Sequence, residues 1–420
     1  MNKLILKSLC TFLIIINTLI PTTFAQELKL DAQNAILVDM KNTMVMYDKN
    51  SSKPIQPAGF TKIVTAMVVL ENCEDLSQVI VAPKETIAAC DFSFGNMGIL
   101  AEEELSAKDL LEGMLVYDAA EAAEVLAGFT FGNYNKFIAA MNDLAKKAGA
   151  ENTVFKNAGG YYDEDQQTTV SDIAKIALYA MKNDAFAEIV KKGMVEIEST
   201  NKYREKRHLA NTNMFVGRTR SLDFYSEKVF GVKTSYMKDE GYGICIAFEN
   251  SKGKFLCVTA GGTDAKSAHT DAQTMREYVV SGFVNVKIAD KGDIIEEVEV
   301  PNGKISHVLL KTADELSVRL PVDYDEAKIF QMTTKDNDLS APIEKDEVLG
   351  TLSVSYDGKE VGSVPLIAYE SVAHSAGKSV QIFFENIFTS PFFYLPVTAL
   401  AIYFATLIYK ANISKFRKKK

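Results

Sequence analysis

Two short apolar runs, Ala35-Ile36-Leu37-Val38 and Met44-Val45-Met46-Tyr47, flank the polar pair Lys41-Asn42, which predicts strands over 34–40 and 43–48 joined by a turn. The period then changes. Ile63, Val64, Met67 and Val68 recur at helical spacing after Pro57-Ala58-Gly59-Phe60, giving a helix with a mostly apolar face. Ser106 and Asp109 form a Ser-x-x-Asp capping pattern ahead of Leu110, Leu111, Met114 and Leu115. Beyond a break near Asp118, the Ala-rich stretch 119–128 reads as a further helix. Phe137, Ile138, Met141, Leu144 and Ala145 share one face of a helix over 135–148 that Gly149 stops, and Ser171 is expected to cap another over 172–181. Strands are expected over 231–236, 241–248 and 255–259, the last two as a hairpin, and a helix over 271–283.

From about Val284 the pattern becomes short alternating strands with Gly and Pro turns, at 294–300, 308–311, 316–320, 328–332, 348–356 and 361–366, which suggests a small all-β module. Residues 379–390 carry apolar side chains at helical intervals, and the run 391–409 holds no charge before Lys410, Lys415, Arg417, Lys418, Lys419 and Lys420. Such a run is long enough to span a bilayer with its basic flank in the cytoplasm; the rival is a helix lying flat in the interface. At the other end, Lys3 and Lys7 precede the apolar stretch Leu9 to Ile20 and then Pro21-Thr22-Thr23-Phe24-Ala25, the order of a secretory signal cleaved after Ala25. The expected organisation is therefore a signal over 1–25, a first domain over 26–283, a β-rich domain over 284–372, a linker over 373–390, an anchor over 391–409 and a basic tail over 410–420.

Composition narrows the function. The 420 residues are 47% hydrophobic and 24% charged, enough for two folded domains, and a net charge of -9 argues against a nucleic-acid partner. Export would leave Cys73, Cys90, Cys245 and Cys257, with three possible pairings that stay open. His208, His269, His307 and His374 are scattered without metal-ligand spacing, so neither metal nor cofactor is expected.

The candidate chemistry centres on Pro57-Ala58-Gly59-Phe60-Thr61-Lys62. A Ser-x-x-Lys spacing places a hydroxyl at the first turn of a helix and an amine one turn later on the same face, where the amine can take the serine proton. Here Lys62 is present and the nucleophile position is Gly59. Downstream stand Asn152-Thr153-x-Phe155-x-Asn157-x-x-Gly160, Asn211-Thr212-Asn213, Gly231-Val232-Lys233-Thr234-Ser235-Tyr236 and, in the β module, Asp357-Gly358-Lys359-Glu360-Val361-Gly362-Ser363-Val364-Pro365-Leu366.

On these motifs the chain resembles the D-alanyl-D-alanine carboxypeptidases of the low-molecular-mass penicillin-binding protein class, peptidase family S11, over nearly its whole length. The resemblance implies an α+β fold of the serine β-lactamase and DD-peptidase type, an antiparallel sheet flanked by helices, followed by a small all-β domain and a C-terminal transmembrane helix. It implies a cell-membrane protein whose body stands outside the cytoplasm, with peptidoglycan stem peptide or envelope proteins as partners. It also assigns positions. Gly59 stands at the nucleophile and Lys62 at its base, while Asp118 and Ala120 hold the serine and asparagine positions of the Ser-x-Asn motif. Lys233, Thr234, Ser235 and Tyr236 fall on the substrate-binding strand.

The departures from the family pattern bear on activity. Gly59 offers no side chain, Asp118 is placed to pair with Lys62 or Lys233 and hold the amine charged, and Ala120 can hold nothing. Ser235 replaces a glycine against which a substrate backbone lies. Thr61 points about 200° away from position 59, and Ser51 and Ser52 have no fixed relation to Lys62. The expectation is an inactive member that binds stem peptide or wall-assembly partners; the alternative is an active carboxypeptidase with an unconventional nucleophile.

Overall fold

The computed structural model describes residues 28–335, 339–377 and 391–417. The expected signal at 1–25 and the amphipathic stretch at 379–390 lie outside the described residues. The chain divides into two compact units, one ending at Gly282 and the other starting at Phe283.

The first unit opens with the hairpin β1 (Asn34–Asp39) and β2 (Val45–Lys49). A single 3-10 turn, Ala58–Phe60, leads into α1 (Thr61–Asn72). Then follow β3 (Val79–Val81), α2 (Lys84–Ala89), β4 (Glu104–Ser106), α3 (Ala107–Val116), α4 (Ala120–Thr130), α5 (Tyr134–Lys147), α6 (Val170–Ala180) and α7 (Asp184–Val190). The strands β5 (Met194–Ile197), β6 (Arg207–Ala210), β7 (Val229–Met237), β8 (Gly241–Asn250) and β9 (Gly253–Gly262) precede α8 (Ala265–Ser281). The main sheet is antiparallel in the order β2-β1-β9-β8-β7, which leaves β7 at an edge.

Helix α8 packs on β8 and β9, and α6 packs on β9 and β1. Six consecutive residues are buried in β8, Gly243 to Phe248, which is the mark of a strand covered on both faces rather than one. At the centre of the helical layer, every residue of α1 from Thr61 to Val69 is buried, against α3, α4, α5, α6 and α7. A helix apolar nearly all round belongs in such a core, and Lys62 is the one charged side chain within that stretch.

Several local expectations are corrected. The cap of α6 is Thr169, whose hydroxyl accepts from the Asp172 N–H at 3.0 Å, so Ser171 lies inside the helix. Helix α8 begins at Ala265, where Asp264 and Ser267 form a capping box; its polar first turn hid the start. Ser106 caps α3 with Asp109 as expected. Cys245 lies opposite Val258 and Cys257 opposite Ile246, so the two thiols point to opposite faces of the sheet, and all four described cysteines are free.

A buried ion pair ties β6 to the loop before β4. The Arg207 guanidinium donates to both Glu103 oxygens, at 2.8 and 3.0 Å, and also to the carbonyls of Met97 and Gly98 at 3.1 Å each. The Thr200 hydroxyl adds a 2.6 Å donation to Glu103.

The second unit contains β10 (Phe283–Ala289), β11 (Ile294–Glu299), β12 (His307–Thr312), β13 (Leu316–Pro321), β14 (Ile329–Lys335), β15 (Val348–Tyr356) and β16 (Lys359–Ala368). Strand β10 pairs with β13, and the others form a sheet in the order β11-β12-β16-β15-β14. Its core includes Val308, Leu310, Leu352, Val354 and Leu366. The charge-free run 391–409 begins a helix, α9 (Pro391–Arg417). Among the described residues no helix is long and apolar enough to cross a membrane, so the expected span finds no support here. Pro396 and the polar tips of Tyr394, Thr398, Tyr403 and Thr406 dilute the run.

The Glu103–Arg207 pair gives a stability test. Glu103→Gln leaves a buried guanidinium uncompensated and is expected to cost about 3 kcal/mol, read from the urea midpoint, while Glu103→Leu with Arg207→Met recovers most of it. A Glu103→Gln chain as stable as the parent would contradict this role.

Candidate active site

The turn Ala58–Phe60 brings Gly59 against the edge strand β7. Gly59 is buried, and a Cβ built on it would lie 2.7 Å from the Thr234 carbonyl oxygen, 2.9 Å from the Ser235 Cα and 3.4 Å from Asp118 Oδ1. Carbon does not approach backbone that closely, so a side chain here requires β7 to move. The space a nucleophile would need is occupied by strand backbone and a carboxylate. Ala58 next to it has a φ of 45°, in the left-handed region that an alanine enters at a cost.

One turn along α1, the Lys62 amine lies 3.1 Å from Asp118 Oδ1, and the Lys233 amine reaches the same oxygen at 2.6 Å. Lys233 also donates to the Thr234 carbonyl at 3.1 Å. Asp118 sits between α3 and α4 with a φ of 76°, a left-handed turn that aspartate tolerates better than most residues and that aims its carboxylate at both amines. The lysine side chains are 2% and 0% exposed and that of Asp118 is 20% exposed.

Electrostatics follows from this triad. Burial alone would push the Asp118 carboxyl up, but Lys233 and Lys62 outweigh it and hold it below the usual carboxylate range. For Lys233, burial is the largest influence and lowers its pKa, with Lys62 adding to the lowering and Asp118 opposing it. The carboxylate is the counter-charge that lets two amines remain in the core. An amine engaged in that way as an ammonium has no lone pair with which to take a proton.

A loop covers the triad. Gly95 approaches Asp118 so closely that a Cβ there would lie 2.7 Å from the Asp118 carbonyl oxygen and 2.9 Å from Oδ2. The Gly95 carbonyl accepts from the Ala120 N–H at 2.8 Å, and Phe94 packs edge-on against Tyr161 with ring centroids 5.0 Å apart. Glu121 on α4 holds the next residues, accepting from the N–H groups of Met97 and Gly98 at 2.7 and 3.1 Å. Burial pushes the Glu121 carboxyl up, against the pull of those donors. Its neighbour one turn on, Glu124, accepts from the Gly159 N–H at 2.7 Å, and burial pushes its carboxyl up too.

The structure thus gathers Gly59, Lys62, Asp118, Lys233, Thr234 and Ser235. The Thr234 hydroxyl is engaged with that of Thr212 at 2.6 Å, and the Ser235 hydroxyl donates to the Pro57 carbonyl at 3.4 Å. Ala120 is buried in the first turn of α4 and contributes only its N–H, to Gly95. Tyr236 stands apart from the triad, 46% exposed and stacked on Tyr242 with centroids 4.4 Å apart. In the turn behind the helix start, Asn157 Oδ1 accepts from the N–H groups of Gly160 and Tyr161 at 2.8 and 2.9 Å. Sequence reasoning missed Glu121, Glu124, Gly95 and Thr212. The legible signal was two acids on an otherwise apolar Ala-rich helix.

Comparisons with known proteins agree with this architecture. The profile of the family described as D-alanyl-D-alanine carboxypeptidase matches residues 21–261, and that of the penicillin-binding protein 5 C-terminal domain matches 283–374. The chain is 27% identical over 368 residues to the D-alanyl-D-alanine carboxypeptidase DacF of Bacillus subtilis, covering 86% of this chain and 92% of that one. It is 24% identical to the D-alanyl-D-alanine carboxypeptidase DacC of Escherichia coli, covering 84% and 88%. Penicillin-binding protein 5 of Haemophilus influenzae shares the fold with a TM-score of 0.66 at 20% identity, covering 83% of this chain and all 100% of that one.

The triad predicts a pH-dependent cost. Asp118→Asn removes the counter-charge of two buried amines and is expected to destabilise the chain by about 3 kcal/mol near neutral pH. Because the Asp118 pKa is depressed, its contribution is complete above the ordinary carboxylate pKa and is lost as pH falls through the depressed value. Urea midpoints of parent and variant should therefore converge in acid. A gap that stays constant with pH would contradict the assignment.

Proposed function

We propose that this chain, which belongs to the D-alanyl-D-alanine carboxypeptidase family, is a member at the cell envelope that binds without hydrolysing. Carboxypeptidases of the family act on peptidoglycan there. The observation that carries the reading is position 59, where the nucleophile is absent and the room for one is taken by the Thr234 carbonyl and the Ser235 Cα. The pairing of Lys62 and Lys233 with Asp118 supports it independently, because losing even one member of such a catalytic unit costs on the order of a million-fold in rate. No observation favours a substitute nucleophile: the Thr234 hydroxyl is engaged with Thr212, the Ser235 hydroxyl is directed to Pro57, and Thr61 is wholly buried.

The ligand we favour is a stem peptide ending in D-Ala-D-Ala, with wall-assembly proteins as the other class of partner. What supports it is the exposed Tyr236 stacked on Tyr242 beside Thr234, on the strand the family uses for substrate. Such a peptide brings a carboxylate that must displace Asp118 from Lys233, so the chain competes with its own ligand. Attachment to the membrane is supported by the charge-free run 391–409 and its basic flank.

Two measurements test this. The purified chain should release no D-alanine from a D-Ala-D-Ala peptide and take no label from a fluorescent penicillin, and Gly59→Ser alone should remain unlabelled. D-alanine release that Lys62→Ala abolishes would overturn the reading. Asp118→Asn frees Lys233 and should bind the peptide about tenfold more tightly than the parent; equal or weaker binding would remove the stem-peptide assignment.

A further inference from the structure

A second cavity lies on the far side of the wall formed by Ala58 and Ser235. It has a volume of about 240 Å³ and is lined by Asn34, Gln56, Phe60, Tyr242, Asp239 and Glu240, among others. At roughly 30 Å³ of liquid volume per water, this is room for a small organic group and not for one water alone.

Its lining is rich in unused acceptors. Asn34 on β1 is 3% exposed, and its Oδ1 is buried without a hydrogen-bond partner among the described residues. Gln56 Oε1 is in the same condition. The orientation of that amide is fixed by its other end, since Nε2 donates to the carbonyls of Asp163 and Gln166 at 3.0 and 2.9 Å. Rotating the amide would give up both bonds, so the oxygen is committed as an acceptor. Buried acceptors left unpaired are costly, and their usual partners are donors brought by a ligand or by water. The carboxylates of Asp239 and Glu240, in the turn between β7 and β8, add negative charge to the lining. Lys53 also lines the cavity, as an exposed residue before Pro54.

We infer that this cavity is a binding site for a small protonated primary amine, whose N–H donors satisfy the Asn34 and Gln56 oxygens while Asp239 and Glu240 balance its charge. A primary ammonium has three donors and no acceptor, which matches a lining of neutral amide oxygens near carboxylates. The site is separate from the Lys62–Asp118–Lys233 cluster, and its occupancy does not depend on whether that cluster turns over peptide.

The probe is methylammonium, titrated into the isotope-labelled full chain while the amide resonances of Gly241, Gly243 and Gly261 are followed. Saturable shifts at these positions are expected, with tetramethylammonium, which has charge but no N–H donor, causing none. Asn34→Asp should tighten binding and Asn34→Leu should weaken it, each by about fivefold or more. Should Asn34→Leu fail to fold, Asp239→Asn with Glu240→Gln, two changes in the turn, should still weaken binding. No saturable shift, which would mean that water alone fills the cavity, overturns the inference. Equal shifts with tetramethylammonium, or no gain from Asn34→Asp, overturns it as well.

Discussion

One carboxylate oxygen, Asp118 Oδ1, lies within 3.1 Å of two lysine amines that have almost no contact with solvent. Two ammonium groups buried side by side repel each other and have lost their hydration, so neither can stay in this core without a shared anion. Much of the local architecture serves that requirement. The chain turns left-handed at residue 118 to aim the carboxylate inward, the loop at Gly95 closes over it, and β7 carries Lys233 up against the start of α1. Gly59 is what permits that approach.

The same interaction separates stability from catalysis. A serine peptidase of this class needs a hydroxyl beside an amine that can give up and regain a proton. Here the amine's partner is an anion whose affinity for a proton is itself reduced. Electrostatics that would be a fault in a catalyst is a sound solution for a core. Glu121 and Glu124 extend the pattern: each spends its carboxylate on backbone N–H groups of the segments that cover or back the cluster. The chain uses buried acids to fix loops around a site that lacks its nucleophile.

Much of this was legible in the sequence. Lys62, Asp118 and Lys233 could be brought together on motif spacing alone, and the pairing of Asp118 with the lysines follows from their charges. The closeness of β7 to Gly59 could not be read, because it depends on how an edge strand docks against a helix far from it in sequence. Helix α8 was started late because its first turn, Ala265-Lys266-Ser267, has no apolar period, and β8 ran longer than expected because a strand buried on both faces does not alternate. The cavity at Asn34 was invisible for the same kind of reason: Asn34 and Gln56 carry no motif, and only their burial without partners sets them apart.

The central claim is that Asp118 is an anion held by Lys62 and Lys233, and its own titration is the most direct measure of it. Following the Asp118 carboxyl carbon by NMR in the full chain as pH is lowered, the account predicts protonation below the ordinary aspartate value of about 3.9, and a rise on Lys233→Met. A carboxyl that titrates at or above that value in the parent, unmoved by Lys233→Met, would contradict it.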